Sequence, residues 1–135
     1  MTRGLRNNNP GNIRQSKVIY LGEVSPSQDK SFKQFTNMAY GYRAMFVLLD
    51  AYRRKGFQSL RQMINRYAPP VENHTDRYLH FVAKMAGVAP DDRVDTKNHD
   101  MMIRIVAAMS RMENGVAAIS ADVEAGWQLY EKGLS

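Results

Sequence analysis

From Asn37 onward, each apolar stripe is bracketed by a capping residue before it and a glycine or proline after it. That punctuation constrains the fold more than any other feature, because caps and left-handed stops fix where a helix can begin and end. Asn37 can cap a helix running to about Lys55, stopped by Gly56, with Met45, Leu48, Leu49 and Tyr52 spaced i, i+3, i+4, i+7. Ser59 can cap a short helix carrying Leu60, Met63, Ile64 and Tyr67, ended by Pro69-Pro70. Thr75 can cap a third, with Tyr78, Val82, Met85 and Ala86 inward and Gly87 as its stop. A fourth is expected over 98–114, with Met102, Ile105, Val106, Met109 and Met112, then Gly115. Ser120 can open a fifth, holding Val123, Trp127 and Tyr130 before Gly133. The helices share no repeat period, so a solenoid is excluded. The nine methionines fall mostly on these stripes and read as packing material.

Residues 1–36 show no helical period. Val18–Leu21 is a short apolar run ended by Gly22, and 32–35 reads Phe-Lys-Gln-Phe. The turn-rich stretch EVSPSQDKS lies between them, so the pair predicts a small β-hairpin. The expected fold class is therefore mainly α, an α+β arrangement of about five helices with one N-terminal hairpin. A chain of 135 residues is expected to make one domain, with 1–36 as loop and hairpin and 37–135 as a helical body.

Composition narrows the function classes. There is no cysteine, which removes disulfides, thiol nucleophiles and Cys-based metal sites. His74, His80 and His99 lack the spacing of zinc ligands, and no glycine loop of the nucleotide-binding type is present. No metal and no organic cofactor is implied. No apolar run approaches the ~20 residues of a membrane span, and no charged-then-apolar leader opens the chain. The expectation is synthesis in the cytoplasm of a bacterial host without a signal peptide. The formal charge is +6, and residues 1–36 hold six basic against two acidic residues. Such an excess favours polyanionic partners: wall polymer, anionic lipid or nucleic acid.

Three stretches carry chemistry. RGLRNNNPGNIR, residues 3–14, has little to bury except Leu5 and Ile13. Asparagine bonds its own main chain and tolerates left-handed backbone, and Gly11 after Pro10 suits a type II turn with positive φ. The stretch is thus expected to be an ordered polar loop. Its amides offer donors and acceptors suited to sugar hydroxyls and N-acetyl groups, and Arg6 and Arg14 can hold a carboxylate. Asn9, Asn12 and Arg14 are the candidate binding residues here. In YAPPVENHT, residues 67–75, Glu72 precedes a helix N-terminus, which favours an ionised carboxylate. Tyr67, Asn73 and Thr75 are binding candidates beside it. In MSRMENG, residues 109–115, Glu113 continues the apolar stripe and sits at a helix C-terminus. Burial and the helix dipole both raise a carboxyl pKa there, as a general acid requires. Against these readings stand a loop knitted only to its own domain, a helix-entry glutamate, and a helix-end glutamate turned into water.

Taken together, RGLRNNNPGNIR, the aromatic-x-Gly at Tyr20–Gly22, the F-x-x-M-A-Y-G-Y-R-A of residues 35–44, YAPPVENHT and MENG resemble a widespread phage and prophage family. Its members often carry only the label structural or virion protein. The resemblance covers essentially the whole chain. It implies a lysozyme-like fold and action on peptidoglycan, in the virion or at the periplasm and cell wall. Lysozyme-like domains usually carry their catalytic glutamate at the end of an early helix. Here the glutamate followed by x-Gly that carries the resemblance comes late, at Glu113.

The leading reading is a phage-encoded enzyme that cleaves the peptidoglycan glycan strand, with Glu113 as first choice of general acid and Glu72 as second. The alternative is a non-catalytic virion structural or wall-binding protein, with other virion proteins as partners. A basic nucleic-acid-binding virion protein ranks third, because the aromatic residues fall on helical stripes and not in a stacking array.

Overall fold

The computed structural model describes residues 1–68 and 74–133. Along these residues run α1 (Arg3–Arg6), β1 (Glu23–Val24), β2 (Gln34–Phe35), α2 (Met38–Arg54), α3 (Leu60–Tyr67), α4 (His74–Ala86), α5 (His99–Asn114) and α6 (Ser120–Lys132). The protein is mainly helical, with one small antiparallel sheet.

Local chemistry sets most helix ends. Asn37 accepts from the Tyr40 amide at 3.1 Å, and Gly56 follows α2 with φ +97°. Ser59 and Gln62 form a reciprocal capping box on α3. Asn98 accepts from the Met101 amide at 2.9 Å, and Gly115 ends α5 at φ +73°. The described part of α4 already includes His74, so Thr75, expected as its cap, lies within the helix. The Thr75 hydroxyl instead donates to the Ala68 carbonyl at 2.6 Å, tying the exit of α3 to the entry of α4. Ser120 is the first residue of α6, and Ile119 holds the cap position without a side-chain bond.

Helix α2 is the spine. It buries Tyr42, Ala44, Met45, Phe46 and Leu49, and each large apolar side chain so removed from water contributes about 1.5–3 kcal/mol. Helix α6 lies against it, and Gly126 makes the approach possible. A Cβ there would stand 2.6 Å from the Tyr42 Cβ and 2.9 Å from the Arg43 nitrogen. Phe46 meets Trp127 edge-on, with centroids 5.3 Å apart, and stacks with Tyr130 at 5.6 Å. Leu79 and Val82 of α4 join Ile105, Val106 and Met109 of α5 in the same core. Leu48 and Tyr52 are only partly buried, because α2 turns them toward the groove described below.

The sheet departs from expectation. The Val18–Leu21 run is not a strand: Val18, Ile19 and Leu21 are more than half exposed, and β2 pairs with β1 through Glu23↔Phe35 and Val24↔Gln34. The reason lies in Lys33. The period of two along β2 puts it on the inward face with Phe35, and it is fully buried. Its ammonium pairs with Glu23 at 3.0 Å and donates to the Val18 carbonyl at 2.8 Å. Residues 16–20 therefore wrap a buried cation instead of pairing as a strand. The partner of 31–33 is the N-terminal loop, through Lys33 N–H to the Ile13 carbonyl at 2.9 Å and Gln15 N–H to the Ser31 carbonyl at 3.0 Å.

Candidate functional site

The asparagine stretch is ordered, and each asparagine has a distinct role. Thr2 caps the one-turn helix α1, whose chain then folds back. Asn8 and Asn12 take left-handed backbone, φ +50° and +49°. Gly11 does not take a positive φ; its need is space, because a Cβ would fall 2.2 Å from the Tyr67 hydroxyl. That hydroxyl donates to the Gly11 carbonyl. Asn7 donates to Asp29, which Arg3 grips through two nitrogens, so the Asp29 carboxyl is held well below the usual carboxylate range.

Asn9 corrects one expectation. It is fully buried, donates to the Ile13 and Lys33 carbonyls at 3.0 and 2.9 Å, and accepts from the Ile13 amide at 2.9 Å. No part of it is free for a ligand. Thr75 is corrected likewise: it is buried behind Ala68 and braces a wall without lining it. Arg6 stands apart from the groove, in a polar depression with Arg3 and Gln28. Glu72 and Asn73 lie outside the described residues.

The remaining candidates converge. A groove of about 700 Å³ is lined by residues 11–16 of the loop, Tyr20, Phe32, Leu48, Tyr52, Arg66, Tyr67, Ala68 and Glu113. Asn12, Arg14, Tyr67 and Glu113 thus share one concavity, although they come from the loop, α3 and α5. Asn114 makes this meeting possible. Its amide donates to the Pro10 carbonyl at 2.8 Å and the Ser110 carbonyl at 2.9 Å, and its oxygen accepts from Thr2 at 2.8 Å. The end of α5 is thereby clamped to the loop, and Asn12 reaches Glu113 with a 2.9 Å hydrogen bond. The sequence reading missed Asn114; an amide just before a stop glycine was its one local signal.

The electrostatics are opposed. Burial raises the Glu113 pKa, while the Asn12 amide, the nearby Tyr78 hydroxyl and the Arg14 charge pull it back in part, and the net direction is upward. Tyr78, placed inward by its stripe, is buried beside Tyr67 with ring centroids 6.4 Å apart. Its hydroxyl has no hydrogen-bond partner among the described residues, so its influence on Glu113 is that of a nearby dipole. Burial, then the Glu113 charge, raise the Tyr67 phenol well above its ordinary value. Arg14 is exposed and stacks over Phe32 at 4.9 Å. No cluster of His, Asp or Glu with metal-binding geometry occurs among the described residues. None of the described helices is long and apolar enough to cross a membrane.

A mainly helical α+β fold with a carboxyl of raised proton affinity set among amide, phenol and guanidinium groups in an open groove is the class that this fold and site define. No family model matches the chain. It is 35% identical over 117 residues to Protein P5 of Pseudoalteromonas phage PM2, an alignment covering 84% of this chain and 71% of that protein. The chain belongs to that phage protein family.

Proposed function

We propose that the protein is a virion-associated enzyme that cleaves the glycan strand of peptidoglycan, in the manner of lysozyme-like domains, with Glu113 as general acid. The observation that carries this reading is the setting of Glu113: a half-buried carboxyl with raised proton affinity, opening on a groove of about 700 Å³ and held by Asn12. Burial favours the protonated form of Glu113, the form that can give its proton to a glycosidic oxygen. The Asn12 amide and Arg14 charge then stabilise the carboxylate that remains. Aromatic walls from Tyr20, Phe32, Tyr52 and Tyr67 suit the apolar faces of sugar rings. Glu72 stays the second candidate carboxyl, to act as base or anion if it reaches the groove.

A second reading, a non-catalytic structural or wall-binding virion protein, is favoured by two facts. The relative is a phage protein, and exposed Val18, Ile19, Leu21, Val116 and Ile119 offer apolar surface for packing against other virion proteins. One experiment separates the readings. Purified protein is incubated with purified peptidoglycan and the soluble fragments are analysed by mass. Release of disaccharide fragments that Glu113→Gln abolishes supports the enzyme. Binding without release by the wild type supports the structural role.

A further inference from the structure

Two guanidinium groups stand on the groove with no carboxylate partner among the described residues. Arg14 comes from the N-terminal loop and Arg66 from the last turn of α3, and both are exposed. Each is laid over an aromatic ring: Arg14 over Phe32 at 4.9 Å and Arg66 over Phe57 at 4.8 Å. Five other basic residues differ in having a carboxylate partner, although Arg3 also lies over Phe32 at 4.7 Å. Arg3, Arg53, Arg54 and Arg61 each pair with an aspartate, and Lys33 pairs with Glu23. A stacked guanidinium keeps its N–H edge free while the ring limits its rotamers, so it is pre-arranged for two-point binding of an oxyanion. Glu113 lines the same groove and is negative once it has given up its proton, so an acidic ligand there needs a cationic counterweight.

We infer that Arg14 and Arg66 form an acidic-substituent subsite, which selects glycans bearing pendant carboxylates over neutral glycans of the same backbone. The inference rests on the glycan-cleaving reading for the kind of ligand, and it adds specificity residues to it. In peptidoglycan the carboxylate has two sources: the lactyl group of a bare muramic sugar, or the stem peptide when the lactyl group is amidated.

The test measures binding, so its failure is distinct from a failure of cleavage. Full-length Glu113→Gln protein, in which turnover does not consume the probe, is titrated by calorimetry with three ligands. These are a neutral N-acetylglucosamine tetrasaccharide, a tetrasaccharide with free lactyl carboxylates, and the same tetrasaccharide carrying stem peptides. The expected result is a preference of about tenfold or more for one acidic probe over the neutral one, the size of a single charge-assisted contact. The acidic probe preferred identifies the source. Adding Arg14→Gln and Arg66→Gln should bring the ratio close to one by weakening the acidic probe more than the neutral one. Circular dichroism checks that the triple variant is folded. Equal affinity for all three probes, or a preference that survives loss of both arginines in folded protein, overturns the inference. A wild type that cleaves no glycan would instead overturn only the enzymatic reading.

Discussion

Asn12 and Glu113, 101 positions apart in the chain, are joined by a hydrogen bond of 2.9 Å from the Asn12 amide to the Glu113 carboxyl. Asn12 holds a left-handed backbone to make that reach. The pair couples the loop to the carboxyl, so changes on either side should be read at the other.

Glu113→Gln keeps the size of the side chain and an oxygen for Asn12, and removes the transferable proton. Glycan release should fall by about 10²–10⁴-fold, the contribution typical of a general acid. Thermal unfolding should show a melting temperature equal to or slightly above that of the wild type at neutral pH. A lower melting temperature with unchanged release would assign Glu113 a structural role.

The pH dependence follows from the direction of the Glu113 shift. Its folded pKa is above the ordinary glutamate value, so the folded state binds the extra proton between the two values. Stability from this group is therefore lost as pH rises through that window and is level above it. Activity should decline over the same rise, because the acid must be protonated. Arg14 lowers the Glu113 pKa, so Arg14→Gln should move the alkaline limb of the rate profile to higher pH. A limb that stays in place or moves down would show that another group controls it.

Asn9 and Asn12 should separate stability from function, despite lying three residues apart. Asn9→Ala strands the Ile13 amide and the Lys33 carbonyl, which Asn9 bonds in the interior, while the Ile13 carbonyl keeps the Lys33 N–H. Each buried group left unsatisfied costs about 1–3 kcal/mol, so denaturant unfolding should register a loss of about 2 kcal/mol or more. Amide exchange over residues 7–15 should accelerate. Asn12→Ala loses one bond at the groove, and left-handed backbone costs a non-glycine residue about 1–2 kcal/mol. Its larger effect should be on glycan release.

Gly11 and Tyr67 should be coupled. A Cβ on residue 11 would meet the Tyr67 hydroxyl at 2.2 Å and Met45 at 2.9 Å. Gly11→Ala should destabilise by about 1–3 kcal/mol, the cost usual for overpacking. Tyr67→Phe removes the obstructing oxygen, so the double variant should recover at least about 0.5 kcal/mol relative to additivity. Additive losses in a double-mutant cycle would place the clash on Met45 instead.

How far the sequence alone reached depended on the range of the interaction. The helices over 37–55, 59–67 and 98–114 were legible because caps such as Asn37, Ser59 and Asn98, and stops such as Gly56 and Gly115, act within four residues. For Glu113 the sequence left two outcomes open, burial at the end of an apolar stripe or a side chain turned into water, and only the packing of the loop against α5 gives it the buried setting that raises its pKa. Tertiary structure decided the rest. Asn9 and Asn12 have the same chemistry in sequence, and only the return of 31–35 past the loop sends one into the interior while the clamp from Asn114 turns the other to Glu113. Leu48 and Tyr52 sit on the same stripe as buried Met45 and Leu49, yet they line the groove because the loop and α3 leave that side of α2 open. Lys33 is buried because Glu23 and the Val18 carbonyl close over it. These outcomes rest on hydrogen bonds and packing between segments up to 112 residues apart, and no local period encodes such partners.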